Sequence, residues 1–256
     1  MFRDADVLAG RFERGELVRV AGRVDRFREQ LQIDVEEIAR AEGADADPAR
    51  FLPSSRRDLD ELEGFLEHLA REVYDPALRA LLDGLLGDAE LRRGLRLAPC
   101  SLPAGSSGPR PARSGSPHHA FLGGLLEHTV AVATMAIELC TMHPRLDRDM
   151  LLTAALVHDL GKTREFTYGA EIGRTREGEL LGHVELGLRL IAARAPHRLS
   201  AERRLELEHC VLCHHGSEQA PGGRFGSAEA VALHRLNALD ASVKGAVEHG
   251  LGRSPA

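Results

Sequence analysis

The N-terminal part of the chain alternates apolar and polar residues with a period of two. Residues 17–24 and 31–35 both show this alternation, and residues 27–30 form a turn between them. The pattern is typical of half-buried β-strands, so we predict a β-hairpin. Because two strands do not form a stable sheet alone, the hairpin must pack on the following domain, on another chain or on preceding strands. An ordinary edge hairpin is at least as well supported as a binding role.

From residue 58 onward, apolar residues recur every three or four positions, the spacing of one face of an α-helix. The first helix has Ser55 or Asp58 as its N-cap, and Asp75-Pro76 begins the second. No Rossmann or P-loop glycine pattern is present. A shorter helix carries Leu91, Leu95 and Leu97, and after His119 the chain is predicted to be wholly helical, with helices near residues 120–142, 147–160, 183–194, 200–215 and 227–247.

These patterns predict a mainly α fold, an irregular helical bundle preceded by a short β-hairpin. The composition agrees, because Trp is absent and the core must consist mostly of Leu, Ala and Val. A stretch rich in Gly, Pro and Ser interrupts the bundle and is predicted to be a flexible loop carrying Arg110 and Arg113. The predicted segments are residues 1–42 (β segment), 43–57 (linker) and 58–252 (helical domain), with the loop at 101–117.

Net charge and cysteine content narrow the class of protein. The net charge of −6 gives no overall attraction to nucleic acid or to an anionic membrane, so such a partner would need a local basic patch or bound cations. The four cysteines do not form a disulfide framework in a chain of 256 residues, and the N-terminus lacks the apolar segment of a signal peptide. No apolar run approaches the ~18 residues of a membrane span. We therefore expect a reduced, cytoplasmic protein.

Histidine is the unusual residue: there are thirteen, concentrated between His118 and His215. One of them belongs to a His-Asp doublet, His158-Asp159, that ends an apolar run and precedes Gly161 and Lys162. Imidazole and carboxylate both bind divalent metals, Gly161 can take a left-handed backbone that closes the helix, and Lys162 offers a cation to a phosphate oxygen. Alone, the doublet is also what a helix with a polar C-terminal end would show.

Further histidines and a carboxylate lie in separate apolar helices, and they strengthen the metal interpretation. Buried polar groups need partners, and one shared metal centre would satisfy all of them. There are too many candidates for one ion, and their number suits two ions bridged by Asp159. Such ligands suit Mn, Fe, Co, Ni or Zn. The seven candidates are His128, His158, Asp159, His183, His214, His215 and Asp240.

Other metal-type residues are weaker candidates. Cys210 and Cys213 are spaced as C-x-x-C beside His209, but one such pair without a second is weak support for a zinc site. We interpret these three residues as core or supporting residues. His118 and His119 either bind substrate at the mouth of the site or merely begin a helix, and the sequence favours neither.

Three motifs carry a resemblance to the HD-domain metal-dependent phosphohydrolase superfamily. Residues 118–129 (HHAFLGGLLEHT), 178–183 (GELLGH) and 213–216 (CHHG) are similar to the YhaM-type 3′→5′ exoribonucleases. The resemblance extends from about Asp58 to Lys244. It implies an HD-domain fold, and it makes residues 17–38 similar to the last two strands of an OB-fold whose front half is missing.

The resemblance also implies residue roles and an activity. The family removes nucleotides from RNA 3′ ends, and some members degrade single-stranded DNA. The first ion would be held by His128, His158, Asp159 and Asp240, the second by His183, His214, His215 and the bridging Asp159, with Lys162 on the scissile phosphate. The chain departs from the family in its OB remnant, its longer 101–117 loop and its Asn237-Ala238 pair, which replaces a more acidic run.

The leading hypothesis is a 3′–5′ exoribonuclease that acts on single-stranded RNA, or on single-stranded DNA, through metal-activated water. Two divalent ions are expected, with Mn preferred and Fe, Co, Ni, Zn or Mg as alternatives. A second hypothesis keeps the chemistry but takes nucleotides or cyclic dinucleotides as substrates. A third, a non-catalytic nucleic-acid-binding regulator, is disfavoured because all seven ligand residues are present. No membrane partner is expected, and a homo-oligomer remains open.

Overall fold

The computed structural model describes residues 12, 16–28, 30–47, 50–103, 117–169 and 171–250. The described chain is mainly α-helical and begins with a two-stranded hairpin, which confirms the predicted fold class. Most of the predicted 101–117 loop, with Arg110 and Arg113, lies outside the described residues.

The hairpin consists of β1 (Val18–Phe27) and β2 (Gln30–Arg40), paired antiparallel. The register shifts by one residue beside Gly22, at a β-bulge in β2. Because side chains alternate between faces, this extra residue keeps Ile38 on the same face as the apolar residues nearer the turn. That face is largely exposed: Val24, for example, is 72% exposed. A 3₁₀ helix, Gly43–Ala46, follows the hairpin.

Three helices with aspartate N-caps open the helical part. They are α1 (Leu59–Arg71), α2 (Pro76–Leu86) and α3 (Ala89–Leu97). Asp58, Asp75 and Asp88 each accept two backbone N–H groups of the following first turn, which stabilises these helix ends. Asp58 is thus the first cap, and the Ser55 hydroxyl instead donates to Glu127, 2.7 Å away.

The centre of the bundle is formed by α4 (Gly124–Met142) and α5 (Arg148–Val157). Of the described helices, α4 alone is long and apolar enough to cross a membrane, although the sequence suggested no such run. More than half of its apolar window is buried in the fold, and Glu127 and His128 are among its buried residues. We therefore describe α4 as a core helix of the bundle.

The remaining helices are interrupted by a short β-sheet, so the prediction of a wholly helical C-terminal part is wrong here. Phe166–Tyr168 (β3) and Ile172–Arg174 (β4) contain β-branched and aromatic residues and pair with each other after a single helical turn. The helices are α6 (Lys162–Glu165), α7 (Arg176–Leu180), α8 (Gly182–Arg194), α9 (Ala201–Cys213) and α10 (Ala228–His249), with a 3₁₀ helix at Ser217–Gln219.

The chain divides into two compact units. One contains the hairpin and Tyr168–Glu171, and the other contains residues 53–167 and 172–256. The second unit holds the aliphatic core, including Leu62, Leu81 and Leu151, which are fully buried. The predicted domain limits at 42 and 57 stay predictions.

Candidate metal centre

Asp159 lies at the middle of the candidate site, in the turn that follows α5. It is 1% exposed, and its two carboxylate oxygens face two different groups of imidazoles. Oδ1 lies 3.5 Å from His183 Nε2 and 3.4 Å from His214 Nε2. Oδ2 lies 3.4 Å from His158 Nε2 and 3.7 Å from His128 Nε2. A carboxylate between two sets of ring nitrogens has the arrangement of a bridging ligand.

The group on the Oδ1 side, which we call the outer position, contains Asp159, His183, His214 and His215. One ligand atom from each of these residues lies within 4.8 Å of the others. His183 lies in the first turn of α8 and the two adjacent histidines follow α9, so helix ends bring them together. The Nε2 atoms of His183 and His215 are 2.9 Å apart. Four ligands at these distances could hold a divalent ion.

The group on the Oδ2 side, which we call the deep position, contains His128 from α4, His158 and Asp159. The Nε2 atoms of His128 and His158 are 3.2 Å apart. Cys100, which the sequence did not single out, joins this group: its Sγ lies 3.8 Å from Asp159 Oδ2. Cys100, His128 and Asp159 form a second set of ligand atoms within 4.8 Å of one another.

Four of the imidazoles around Asp159 are fixed through their Nδ1 atoms. Nδ1 of His158 and of His214 donates to a backbone carbonyl, that of Ala155 at 2.9 Å and of Val211 at 2.6 Å. Because a carbonyl oxygen only accepts, these bonds leave the Nε2 lone pairs free, and the lone pairs face the centre. Metal-binding histidines are typically held by such second hydrogen bonds.

Two carboxylates fix two further imidazoles, those of His183 and His128, in the same way. Glu165 accepts from His183 Nδ1 at 3.0 Å, and Asp240 accepts from His128 Nδ1 at 2.6 Å. No local pattern indicates Glu165, although it lies only six residues after Asp159. Its pKa is lowered, against the effect of burial, by the bond to His183.

Asp240 therefore contacts Nδ1 of His128, whereas Nε2 of the same ring faces His158. Its Oδ2 also accepts from His119 Nε2 at 2.9 Å, which makes His119, His128 and Asp240 a third group of ligand-type atoms. The other five predicted ligands, all histidines, lie around Asp159 in the outer and deep groups. His119 is 1% exposed and lies within this network, whereas the ring of His118 lies 5.9 Å from that of His128.

Lys162 lies against the Asp159 carboxylate. Its Nζ donates to Asp159 Oδ2 at 2.6 Å and to Cys100 Sγ at 3.3 Å. Burial opposes both charges, but the attraction between them prevails: Asp159 raises the pKa of Lys162, and Lys162 and His158 hold the pKa of Asp159 well below its usual range. The ammonium thus offsets part of the negative charge at the centre.

Among the described residues around the centre, three buried atoms lack hydrogen-bond partners: His119 Nδ1, Asp159 Oδ1 and His214 Nε2. The last two lie 3.4 Å apart and test whether a metal fits. Burial lowers the pKa of His214 to about 4, so its ring is neutral at neutral pH and Nε2 carries a lone pair. Two lone pairs that face each other away from water are unfavourable, and a cation between them would satisfy both. The residues present therefore fit a divalent ion.

Exposure differs between the two positions. His128, His158 and His214 are fully buried, whereas the side chain of His183 is 17% exposed and His215 is exposed. Solvent therefore reaches the centre from the side of the outer position.

The C-x-x-C cysteines lie apart from these groups. Cys213 Sγ contacts the ring of His209, and Cys210 Sγ lies 4.0 Å from the hydroxyl of Ser227. Burial raises the pKa of both thiols, that of Cys210 to about 12. Buried thiols with raised pKa values are poor nucleophiles and poor metal ligands, which agrees with a core role.

Comparison with known proteins supports this picture. The HD domain family matches residues 125–243. The 3′-5′ exoribonuclease YhaM of Shouchella clausii (strain KSM-K16) is 29% identical over 239 residues, which cover 89% of this chain and 67% of the relative. YhaM of Geobacillus sp. (strain WCH70) is 29% identical over 238 residues, 89% and 66% of the two chains. The chain thus spans about two thirds of these relatives, and no solved structure matches it significantly.

Proposed function

We propose that this chain, which carries an HD domain and resembles the YhaM exoribonucleases, is a metal-dependent phosphodiesterase that removes nucleotides from the 3′ end of single-stranded RNA. The observation that carries the proposal is the position of Asp159. Its two oxygens face two separate groups of imidazoles, and Asp159 Oδ1 and His214 Nε2 are buried without hydrogen-bond partners. This arrangement suits two divalent ions, and we propose Mn²⁺ for the outer position.

The outer ion would be held by His183, His214 and His215, and the deep ion by His128 and His158, with Asp159 shared. Bound divalent ions lower the pKa of water and polarise phosphate oxygens, which is the chemistry that phosphodiester hydrolysis needs. The earlier prediction that Asp240 binds the deep ion directly stays a prediction. Its bond to His128 supports a role in orienting that ring.

Lys162 is proposed to neutralise negative charge at the reacting phosphate. Its ammonium is buried beside Asp159, where a charge is worth more than in water because the surroundings are less polarisable. The neutral form of His214 at physiological pH leaves its Nε2 available for an ion. His118 is proposed to contact the substrate, since its ring adjoins that of His128.

RNA as the substrate rests on the named activity of the relatives. With a net charge of −6, the chain offers RNA no general attraction, so binding would depend on the ions and on local cations. The same charge favours, as a second candidate, a small substrate such as a nucleotide or cyclic dinucleotide, which needs no extended basic surface.

The four cysteines, all free and buried, support our proposal of a reducing, cytoplasmic location. We propose that the hairpin, which pairs antiparallel over two strands, is related to the last two strands of an OB-fold.

The test uses purified full-length protein, a 5′-labelled single-stranded RNA and a circular RNA of the same sequence. Stepwise shortening of the linear RNA with Mn²⁺, no cleavage of the circle, and loss of activity with a chelator are expected. Single-stranded DNA, nucleotides and cyclic dinucleotides assayed in parallel identify the preferred substrate.

Asp159→Ala should abolish the shortening, and Asp83→Ala, at an exposed helix position, should leave it unchanged. Cleavage that persists in the chelator, or equal activity of the two variants, would overturn the proposed chemistry. Hydrolysis of small nucleotides without any RNA shortening would overturn the substrate but keep the metal centre.

A further inference from the structure

The side chain of Cys100 lies among charged and metal-binding groups, unlike the other cysteines of the chain. Its Sγ is 3.3 Å from Lys162 Nζ and 3.8 Å from Asp159 Oδ2, and it belongs to one set of ligand atoms with His128. Cys140, by contrast, is an ordinary buried thiol on α4, and burial raises its pKa. A thiol that served only as a small apolar side chain would not be placed between an ammonium and a carboxylate.

The backbone holds Cys100 in this place. Its N–H donates to the carbonyl of His119 at 2.9 Å, and the carbonyl of Ala98 accepts from Leu125 N in the first turn of α4. His119 has a left-handed backbone with φ 46°, which turns its carbonyl toward Cys100 while its ring reaches Asp240. The segment after α3 is therefore tied to the helix that carries His128.

The ligand atoms of the deep position have the spacing of a small coordination shell. Zinc bonds of about 2.0 Å to nitrogen or oxygen and about 2.3 Å to sulfur separate tetrahedral ligands by roughly 3.3–3.6 Å. The observed separations are 3.2 Å between the two Nε2 atoms, 3.4 and 3.7 Å from these to Asp159 Oδ2, and 3.8 Å from that oxygen to Cys100 Sγ. With the Asp240 carboxylate on the far side of His128, the sulfur joins His128 and Asp159 as a ligand-type atom on this side.

We propose that Cys100 supplies a sulfur ligand to the ion in the deep position, which therefore takes a thiophilic divalent ion such as Zn²⁺ or Co²⁺. When the ion binds, the S–H bond breaks, the proton leaves to bulk solvent and an S–metal bond forms, with no change in oxidation state. The Lys162 ammonium stabilises the thiolate. The outer position, with imidazole and carboxylate donors, has no sulfur ligand among the described residues, so the two positions differ in metal preference. The inference rests on the proposed metal centre but not on the RNA substrate.

The test titrates Co²⁺ into metal-free, reduced full-length protein without oxygen and records absorption. A thiolate-to-cobalt charge-transfer band in the near ultraviolet is expected in the wild type and in the matched Cys140→Ser variant. Cys100→Ser should lose this band while it keeps the visible cobalt bands. Its Zn²⁺ affinity should fall on the order of tenfold or more, and its Mn²⁺ affinity should fall less.

Cobalt binding without the band in the wild type, a band that remains in Cys100→Ser, or a band lost in Cys140→Ser would each overturn the proposal. If Cys100→Ser does not fold, X-ray absorption of the zinc-loaded wild type decides: a sulfur neighbour at about 2.3 Å supports the ligand and its absence refutes it. None of these measurements uses RNA, so failure of the proposed exoribonuclease activity is distinguished from failure of this inference.

Discussion

At the scale of single residues, the centre depends on which nitrogen of each imidazole is engaged. His158 and His214 donate from Nδ1 to carbonyls of their own helices, three residues earlier in the chain. His128 and His183 donate from Nδ1 to carboxylates on other elements. In all four cases the second nitrogen is left facing Asp159. The rings are therefore oriented for metal binding by hydrogen bonds that exist before any ion arrives.

Asp240→Asn should weaken metal binding without removing any ligand that faces Asp159. The amide keeps the shape of the carboxylate but not its charge, so the His128 ring becomes less basic and less firmly held. We expect the affinity of the deep position to fall roughly 10–100-fold, measured by calorimetric titration with Zn²⁺. Asp83→Asn is the matched surface control. An unchanged affinity would show that Asp240 does not act through His128.

The stability of the metal-free protein should depend on pH through His214. Burial lowers its pKa to about 4, whereas the unfolded chain has a histidine of ordinary pKa, about 6.5. The unfolded state thus binds more protons between these values, so this contribution is complete above pH 6.5 and is lost as the pH falls toward 4. On the order of 2–3 kcal/mol of unfolding free energy should be lost over that window.

Denaturant unfolding of the chelator-treated protein between pH 7 and pH 4 measures this dependence. Burial lowers the pKa of His128, but Cys100 and Asp240 raise it overall. The stability that His128 contributes therefore grows as the pH falls, opposite to that of His214. A His214→Gln variant should therefore show a shallower decline than the wild type. Parallel profiles for the two proteins would refute the role of His214.

At the scale of elements, Gly161 sets how closely the turn after α5 approaches α8. A methyl group at this position would lie 1.9 Å from the carbonyl oxygen of His183 and 2.6 Å from Gly187 N. The backbone there is right-handed, with φ −60°, so the prediction of a left-handed helix cap at Gly161 is wrong. The glycine is needed because two backbones touch, and that contact holds His183 beside Asp159.

Gly161→Ala should destabilise the fold by about 1–3 kcal/mol and weaken binding at the outer position, since α8 must move away. Gly64→Ala is the matched control: it lies within α1, nothing would lie within 4 Å of its added methyl, and it should stabilise by about 0.5–1 kcal/mol. Denaturant unfolding and Mn²⁺ titration of both variants measure the effect. Equal responses of the two variants would contradict the proposed contact.

Periodicity predicted the elements better than it predicted their contacts. The helices around His128 and Asp240 are close to their predicted limits because each has a long apolar pattern. The strands β3 and β4 are only three residues long, which is too short for an alternating pattern to be recognised. Cys100 is 59 residues from Asp159, and no local pattern indicates that helix packing brings their side chains together.

At the scale of the whole molecule, the two compact units bury apolar side chains to very different extents. Leu81, in the helical unit, is fully buried, whereas Ile33, in the hairpin unit, is 58% exposed. Unfolding free energy depends on area removed from water, so stability should respond unequally to substitutions in the two units.

Leu81→Ala should cost about 2–5 kcal/mol of unfolding free energy, because it leaves a cavity in the aliphatic core. Ile33→Thr should change it by less than about 0.5 kcal/mol, because threonine suits a strand and little buried area is lost. Chemical denaturation followed by circular dichroism measures both. A large loss in Ile33→Thr would show that the exposed face of the hairpin is covered in solution.

The gradient of exposure across Asp159 has a kinetic consequence. An ion beside the exposed His215 could exchange with the surrounding medium without disturbing the core, whereas an ion between His128 and His158 could leave only after buried helices separate. The two ions should therefore bind and leave in a fixed order. On dilution, the outer position should lose its ion while the deep position keeps its ion.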